Sequence, residues 1–429
     1  MPDANGRAIG PSTASLADYQ NARGFAALQT LRGQGAQAAA NVISAAQQAR
    51  LRGRGGAGML TANKWQTVRD AVAKRGGPAF LVCNAYDADP QSLISTTLVA
   101  SQPFMVLEGV MLAAIAVGAR EAYIYLRSGN TAGHTALNAA LDQARSANIL
   151  SDLIINVVGV EVGFMGGEES TMLEVIKGRR AMAQQRPPYP AQSGLSELPT
   201  AVANVETLVS LVGAVRDPAA FAKTGTAASA GTKLFSVYDA AGNGTLVEQP
   251  FGATIAAIVK AAGLTITADS ARGILVGGPE GGVLPPAQWN TPFDFEPLQA
   301  AGAIVGSGTI QVLGPQTCMV DWARERTAYL THESCGKCIP CRSGTKRIEG
   351  MLAGIMSDVG TSGDLDLLNE FADYVPDGSL CGFGWNATNP LKTAMRYYAD
   401  DFQKHLRGEC PTGTCVPVRT HRFAKKGVL

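Results

Sequence analysis

Phe80-Leu81-Val82-Cys83-Asn84-Ala85-Tyr86-Asp87-Ala88-Asp89-Pro90 passes from a short apolar run into a polar turn closed by proline. A run of that length, bounded by turn residues, predicts a buried strand. Working outward, Ser92 to Val117 carries a helical pattern and Ala122 to Leu126 is a second strand. His134 to Leu150 is a further helix, and Leu153 to Val160 a third strand. Strands alternating with longer helices predict a wound α/β layer on a mostly parallel sheet. Such layers hold ligands outside the carboxyl ends of their strands, and Asn84 to Pro90 falls at such an end.

On the amino-terminal side, Ser15 to Arg52 is rich in Ala, Gln and Arg, with Val42, Ile43 and Ala46 at helical spacing. The glycine cluster Gly53 to Gly58 follows. On the carboxyl side, Gly163 to Gly167 is a turn opening a helix through Thr171 to Lys177. The loop Arg186-Pro187-Pro188-Tyr189-Pro190 interrupts the pattern, and Asn204 to Val215 reads as a helix. The texture changes at Gly231. Lys233 to Val237 is strand-like, Asn243-Gly244 signals a hairpin, and Thr254 to Ala262 is a short helix. These predict a small α+β module to about Leu313, with helices beyond Thr317. The 429 residues exceed what one core usually supports.

Lys+Arg 36 against Asp+Glu 35 leaves a net charge of +1, so the chain has no polyanion-binding signature and nucleic acid is excluded as a main partner. Met1 to Ser15 is polar, without the apolar core of a leader. The most apolar stretch, Met105 to Gly118, is broken by Glu108 and falls short of the ~20 residues that span a bilayer, so no direct membrane insertion is expected. Eight cysteines without a leader point to a reducing compartment, where clustered thiols mean metal rather than disulfide. The expectation is a soluble, cytoplasmic protein.

Cys335-Gly-Lys-Cys338-Ile-Pro-Cys341 is the strongest local signal, joined by Cys381 in Ser379-Leu380-Cys381-Gly382. Three thiolates at close spacing plus one from a distant loop is the general pattern of a [4Fe–4S] site. Zinc usually takes two separated C-x2-C pairs, which fits poorly. Cys410 and Cys415 read as an inert C-x4-C pair, and Cys83 and Cys318 as core thiols. None of the four histidines, His332 included, falls in a metal or nucleophile pattern. Gly53-Arg-Gly55-Gly-Ala-Gly58 satisfies G-x-G-x-x-G, but a helix rather than a strand precedes it. What remains is backbone that can approach a phosphate, with Arg54 and Lys64 adding charge; the bland reading is a flexible loop. Glu168 and Glu169 stand at a helix start, where acids are common for the dipole alone and could also bond ribose hydroxyls.

Together these strings resemble one family, the NADH-binding flavoprotein (51-kDa-type) subunit of respiratory complex I and its relatives in NAD-linked formate dehydrogenases and hydrogenases. The matching strings are GRGGAGMLTANKW at 53–65, CNAYDADP at 83–90, GGEES at 166–170, RPPYPAQSG at 186–194, NVETL at 204–208, GTKLFSV at 231–237 and ESCGKCIPCRSGT at 333–345. The resemblance implies an N-terminal helical segment (1–50) and a wound α/β flavin- and NADH-binding domain (51–230). A β-grasp-like module (231–315) and a helical [4Fe–4S] domain (316–429) complete it. Carried over by position, Arg54, Gly55, Gly56, Ala57, Gly58, Lys64, Asn84, Asp87, Gly167, Glu168, Glu169 and Asn204 line the flavin. Met59, Lys64, Asp89, Glu169, Arg186 and Tyr189 handle NAD(H), with Glu169 and Asp89 nearest the chemistry and Tyr189 suited to stacking on adenine. Cys335, Cys338, Cys341 and Cys381 hold the cluster.

The chain departs from the family's pattern at several positions. Tyr86 stands where Asp is usual, Asp87 and Asp89 where Glu is, Phe164 where Tyr is, and Met59 at an aromatic position. Gly166 replaces a Cys, and Ala203 replaces the first Asn of an Asn-Asn pair. FMN is the family's usual flavin, and the lost side-chain volume suggests a roomier pocket that keeps FAD open. The resemblance implies hydride exchange between NAD(H) and the flavin, then single electrons through the cluster. The partners it implies are an iron–sulfur protein and a catalytic subunit of formate dehydrogenase, hydrogenase, tungsten aldehyde oxidoreductase or complex I type. The rival is an assembly subunit that kept fold and cluster but lost NADH chemistry, motivated by Tyr86, Ala203 and Met59.

Overall fold

The computed structural model describes residues 15–357 and 359–415. The leader reading, which rests on residues 1–15, lies outside them except for Ser15. The described residues form nine strands: β1 (Ala79–Ala85), β2 (Ala119–Arg127), β3 (Ile154–Val160), β4 (Thr200–Asn204), β5 (Thr232–Tyr238), β6 (Gly244–Pro250), β7 (Gly273–Val276), β8 (Gly282–Leu284) and β9 (Thr309–Leu313). They build a four-stranded sheet in the order β3-β2-β1-β4 and a five-stranded sheet in the order β6-β5-β9-β7-β8. The first sheet is parallel at every pairing, as expected of strands joined through helices. In the second, β7 pairs antiparallel with both β8 and β9.

By contact the chain divides into two compact units. Among the described residues, one comprises those up to Ala181 with Gln185–Ser236 and Leu246–Ala253, and the other Met182–Gln184, Val237–Thr245 and those from Thr254. The boundary falls within β5 and β6, because the base of that hairpin packs with the first unit and its tip with the second. Neither the line at 50/51 nor that at 315/316 appears in this division, so the four-part partition remains a finer proposal.

Two elements differ from the sequence reading. The helix expected over Ser92 to Val117 is two helices, Ile94–Ser101 and Pro103–Val117, bent by 101°. Pro103 lacks an N–H and pushes Gln102 out of helical geometry, to φ −130° and ψ 44°. β4 escaped the reading altogether. Its five residues, Thr200-Ala-Val-Ala-Asn204, are small and run directly into the helix Val205–Arg216.

The helix Pro103–Val117 is buried almost throughout. At Gly109 an added Cβ would stand 2.3 Å from the Leu208 carbonyl oxygen, so only glycine lets this helix cross Val205–Arg216 so closely. Glu108 is fully buried beside Gly109 and accepts from the Tyr19 hydroxyl at 2.5 Å and from Arg216 at 3.3 Å. Burial raises its carboxyl above the usual range, and Arg216 and Tyr19 pull it partly back. The acid that breaks the apolar stretch thus fastens the N-terminal helix Leu16–Asn21 to the α/β layer. No single described helix is long and apolar enough to cross a membrane.

Candidate functional site

β1 and β4 lie side by side, and their last paired residues are Asn84 and Asn204. Both asparagines therefore stand at the carboxyl ends of parallel strands, where α/β sheets receive ligands. The Asn204 side chain caps the helix Val205–Arg216 by accepting from the Glu206 N–H at 2.9 Å. Asn84 donates to the Gly167 carbonyl at 3.3 Å and accepts from the Tyr86 N–H at 3.0 Å.

The glycine loop arrives over the same edge. It is pinched at its base, where Gly53 N–H donates to Met59 O at 2.9 Å and Arg52 Nε to Gly58 O at 2.6 Å. Gly56 (φ 107°) and Gly58 (φ 64°) sit where side chains are strained. A Cβ on Gly55 would stand 3.1 Å from the Asn204 Cβ, which shows how closely the loop approaches β4. Across the edge, a Cβ on Gly167 would stand 2.6 Å from that of Ala88. Gly167→Ala is therefore expected to displace the 86–90 turn and to cost about 1–3 kcal/mol as overpacking. The ratio of flavin to protein after gel filtration should fall clearly below that of the parent; an unchanged ratio would remove Gly167 from the cradle.

Beside the loop runs a chain of alternating charges. Lys64, on the helix Thr61–Arg75, meets Glu169 at 2.7 Å. Arg186 reaches Glu169 at 3.3 Å and pairs with Glu168. Glu168 caps the helix Glu169–Ile176, its Oε2 accepting from the Ser170 and Thr171 N–H groups at 3.0 and 2.9 Å. Burial opposes ionisation of Glu169, but Lys64 and Arg186 more than offset it and hold the carboxyl below the usual range. Arg186 also stands over the Tyr189 ring at 5.7 Å. Met59 and Tyr189 are exposed apolar surfaces, 57% and 51% accessible.

Several side chains expected at a ligand are otherwise engaged. Arg54 is buried, and its guanidinium donates to the carbonyls of Arg52 (2.6 Å) and Ala230 (2.8 Å) between the rings of Phe221 and Phe251. Its guanidinium is thus directed into the protein, while its backbone belongs to the loop. Asp87 accepts from Ser92 Oγ at 2.7 Å, the Ser95 N–H at 3.1 Å and the Thr96 N–H at 2.8 Å. It thereby caps the helix Ile94–Ser101. Asp89 is buried, with Oδ1 accepting from the Gln91 N–H at 2.9 Å, so it shapes its own turn. The roomier pocket is also corrected at Gly166. A Cβ there would meet Val162 at 2.3 Å and the Tyr86 ring at 3.1 Å, so Val162 and, less closely, Tyr86 occupy what Gly166 vacates. Tyr86 is itself fixed by Tyr125 and by Arg127, at 5.4 and 4.8 Å.

Sequence reading missed the buried pair beneath the loop. Lys233 Nζ donates to Glu206 Oε2 at 2.8 Å and to the Arg54 carbonyl at 3.2 Å, and Glu206 Oε1 accepts from the Leu234 N–H at 2.7 Å. Glu206 lies in NVETL and Lys233 in GTKLFSV, but no local spacing links positions 27 apart.

In the second unit, Cys335 and Cys338 lie between the helix Met319–Glu333 and a π-helical turn, Pro340–Gly344, that contains Cys341. Gly336 (φ 79°) lets the chain turn back, and Ser334 Oγ lies 3.3 Å from Cys341 Sγ. Cys381 caps the short helix Gly382–Asn386, and a Cβ on Gly384 in that helix would stand 3.6 Å from that of Cys341. Four thiols from two segments suit an iron–sulfur cluster. Between two of them, Lys337 donates to the Ala183 carbonyl at 2.8 Å.

The matches to known families follow this division. Residues 46–212 match the Nuo51 FMN-binding domain, and residues 321–405 the NADH-ubiquinone oxidoreductase-F iron–sulfur binding region. The NADP-reducing hydrogenase subunit HndC of Solidesulfovibrio fructosivorans is 32% identical over 418 residues, covering 95% of this chain and 84% of that one. The chain belongs to the family of 51-kDa-type NADH-binding flavoprotein subunits. Another member, from the NADH-quinone oxidoreductase of Rhizobium meliloti, is 31% identical over 92% of this chain and 96% of its own length. A solved NAD+-reducing [NiFe]-hydrogenase matches at TM-score 0.77 and 32% identity over 85% of the chain, which spans 62% of that hydrogenase chain. These relatives are subunits of multi-subunit assemblies.

A second cysteine group departs from the sequence reading. Cys318, His405, Cys410 and Cys415 are all buried, and their donor atoms lie within 4.8 Å of one another. Cys318 is thus more than a core thiol, Cys410 and Cys415 are not an isolated pair, and His405 does belong to a cysteine cluster. No short-range spacing reveals this, since Cys318 and His405 are 87 residues apart.

Proposed function

We propose that this chain is the NAD(H)-dependent flavoprotein subunit of a multi-subunit oxidoreductase. The observation that carries the reading is the convergence of the glycine loop, Asn84, Asn204 and Gly167 at one carboxyl edge of the parallel sheet, beside Lys64, Glu169 and Arg186. A flavin held there supplies conversion between two-electron and one-electron transfer, and a [4Fe–4S] cluster on Cys335, Cys338, Cys341 and Cys381 carries the single electrons. The backbone of Gly55 to Gly58 offers close approach to the flavin phosphate, and the Asn84 and Asn204 side chains define the floor. The family match and the space filled by Tyr86 favour FMN over FAD.

Glu169 is the residue best placed to position a nicotinamide ring, because Lys64 and Arg186 keep it ionised and fixed. Glu168 acts through Arg186: as a helix cap it cannot move, so it anchors the arginine. Tyr189 and Met59 present flat, exposed surface for the base of a dinucleotide. Positioning of this kind is worth several orders of magnitude in rate. The relatives support partner subunits in general; the partner inferred here is an iron–sulfur protein leading to a catalytic subunit of hydrogenase, formate dehydrogenase, tungsten aldehyde oxidoreductase or complex I type.

An anaerobic NADH titration followed by visible absorption tests this. Stoichiometric bleaching of a flavin band is expected, with FMN in the released extract. Glu169→Gln should lower kcat/KM for NADH about 10–100-fold, a barrier change of roughly 1.4–2.7 kcal/mol, while flavin content holds. A bound flavin that NADH does not reduce would overturn the reading in favour of an assembly subunit.

A further inference from the structure

Cys318, His405, Cys410 and Cys415 converge from three separate pieces of the second unit. Cys318 caps the helix Met319–Glu333, His405 lies in the helix Ala399–Leu406, and the two remaining cysteines follow in the segment that leaves that helix. Three sulfurs and one imidazole nitrogen lie within 4.8 Å of one another, and all four residues are buried. A tetrahedral ion with bonds of about 2.3 Å to sulfur sets its ligands about 3.8 Å apart. Cys318 Sγ and His405 Nε2 are already 3.4 Å apart, so small side-chain movements close the rest. A cluster of several irons needs its ligands spread more widely than this.

The surroundings are arranged as a metal site requires. His405 Nδ1 is 2.7 Å from the Asp401 carbonyl, and only a ring N–H can make that bond. Nδ1 therefore carries the proton, and the Nε2 lone pair faces the three sulfurs, the tautomer that a histidine ligand needs. Asp401 is held in turn by Arg272 Nη2, 2.6 Å from both carboxylate oxygens, and the Arg272 carbonyl accepts from the Tyr398 hydroxyl at 2.8 Å. Between Cys410 and Cys415 the chain turns back through Gly413 (φ 70°), whose N–H donates to the Cys410 carbonyl at 3.1 Å. The iron–sulfur family match ends at residue 405, so Cys318, Cys410 and Cys415 lie outside it.

We propose that these four residues bind one structural zinc ion. Three cysteines and a histidine complete a tetrahedral shell with no position left for water or substrate, so the ion is structural rather than catalytic. Binding releases the three thiol protons to solvent, and the three thiolates and neutral imidazole donate to Zn²⁺. The ion joins the segment after Leu406 to the start of the helix Met319–Glu333, independently of the [4Fe–4S] cysteines. Nothing in this assignment depends on NADH chemistry.

The test is metal analysis of the full chain, purified anaerobically with its flavin and iron. One zinc per chain is expected in addition to the cluster iron, with zinc X-ray absorption giving three sulfurs at about 2.3 Å and one nitrogen at about 2.0–2.1 Å. The double variant Cys410→Ser, Cys415→Ser should lose the zinc and melt several degrees lower, while iron, flavin and reduction by NADH are retained. If that variant does not fold, the absorption spectrum of the parent decides alone. A parent chain without zinc, a zinc shell of four sulfurs (the ion then sitting on the Cys335 group), or a Cys410–Cys415 disulfide found by mass spectrometry would each overturn the assignment.

Discussion

Cys341→Ser is expected to remove the iron from the chain and, with it, the electron paramagnetic resonance signal seen on reduction. Cys341 is the most enclosed thiol of the Cys335–Cys341 motif, and burial together with neighbouring Cys338 and Cys335 pushes it up to about 11, while Ser334 lowers it. Burial opposes charge on Cys341 unless a cation neutralises it, and loss of one of the four ligands is expected to release the centre as a whole. Flavin content and its reduction by NADH should survive, because the glycine loop, Asn84 and Glu169 lie in the other unit. Electron delivery to a one-electron acceptor should fall to background. Ser334→Ala is the graded control: loss of an outer-shell hydrogen bond lowers metal retention about 10–100-fold. Iron retained at parental stoichiometry in Cys341→Ser would remove the motif from the cluster.

Lys233→Met is expected to destabilise the first unit by about 3–5 kcal/mol, since it strands Glu206 as a buried, uncompensated charge. Lys233 and Glu206 are 1% and 2% exposed, and Lys233 also holds the Arg54 carbonyl within the glycine loop. The loss should therefore show first as flavin release at lower denaturant concentration. Lys233→Met combined with Glu206→Leu should recover much of the stability, because two apolar groups leave no orphaned charge. The Leu234 N–H that Glu206 accepts would remain unpaired, so recovery should be incomplete. A single variant that releases flavin at the parental midpoint would show that the pair contributes little.

The sequence made the architecture legible where the signal is local. Alternation of apolar runs with helical stretches from Phe80 to Val160 gives the parallel sheet, because each strand and each crossover is a contiguous pattern. The Cys335 motif and the glycine cluster are equally contiguous. β4 was illegible because five small residues carry no periodicity, yet it supplies Asn204 and half of the ligand edge. The use of side chains was legible only in part. Arg54, Asp87 and Glu168 stand in the expected strings, but what they bond is decided by chain that returns from elsewhere: Ala230 for Arg54, Thr96 for Asp87 and Arg186 for Glu168. The Cys318–His405 group is the extreme case, since its donors meet only after the helices have packed.

Val162 and Tyr86 together fill the volume that Gly166 leaves, so position 166 is not free to change alone. Restoring Cys at 166 would drive its Cβ into Val162 and the Tyr86 ring, whereas restoring Asp at 86 would open a void and bring a carboxylate beside Tyr125. Gly166→Cys and Tyr86→Asp are therefore each expected to cost more alone than beside matching changes at the neighbouring positions, Val162 included. The two sites are therefore coupled through one packed volume, and engineering that swaps one residue at a time there would misread their joint tolerance as intolerance at each.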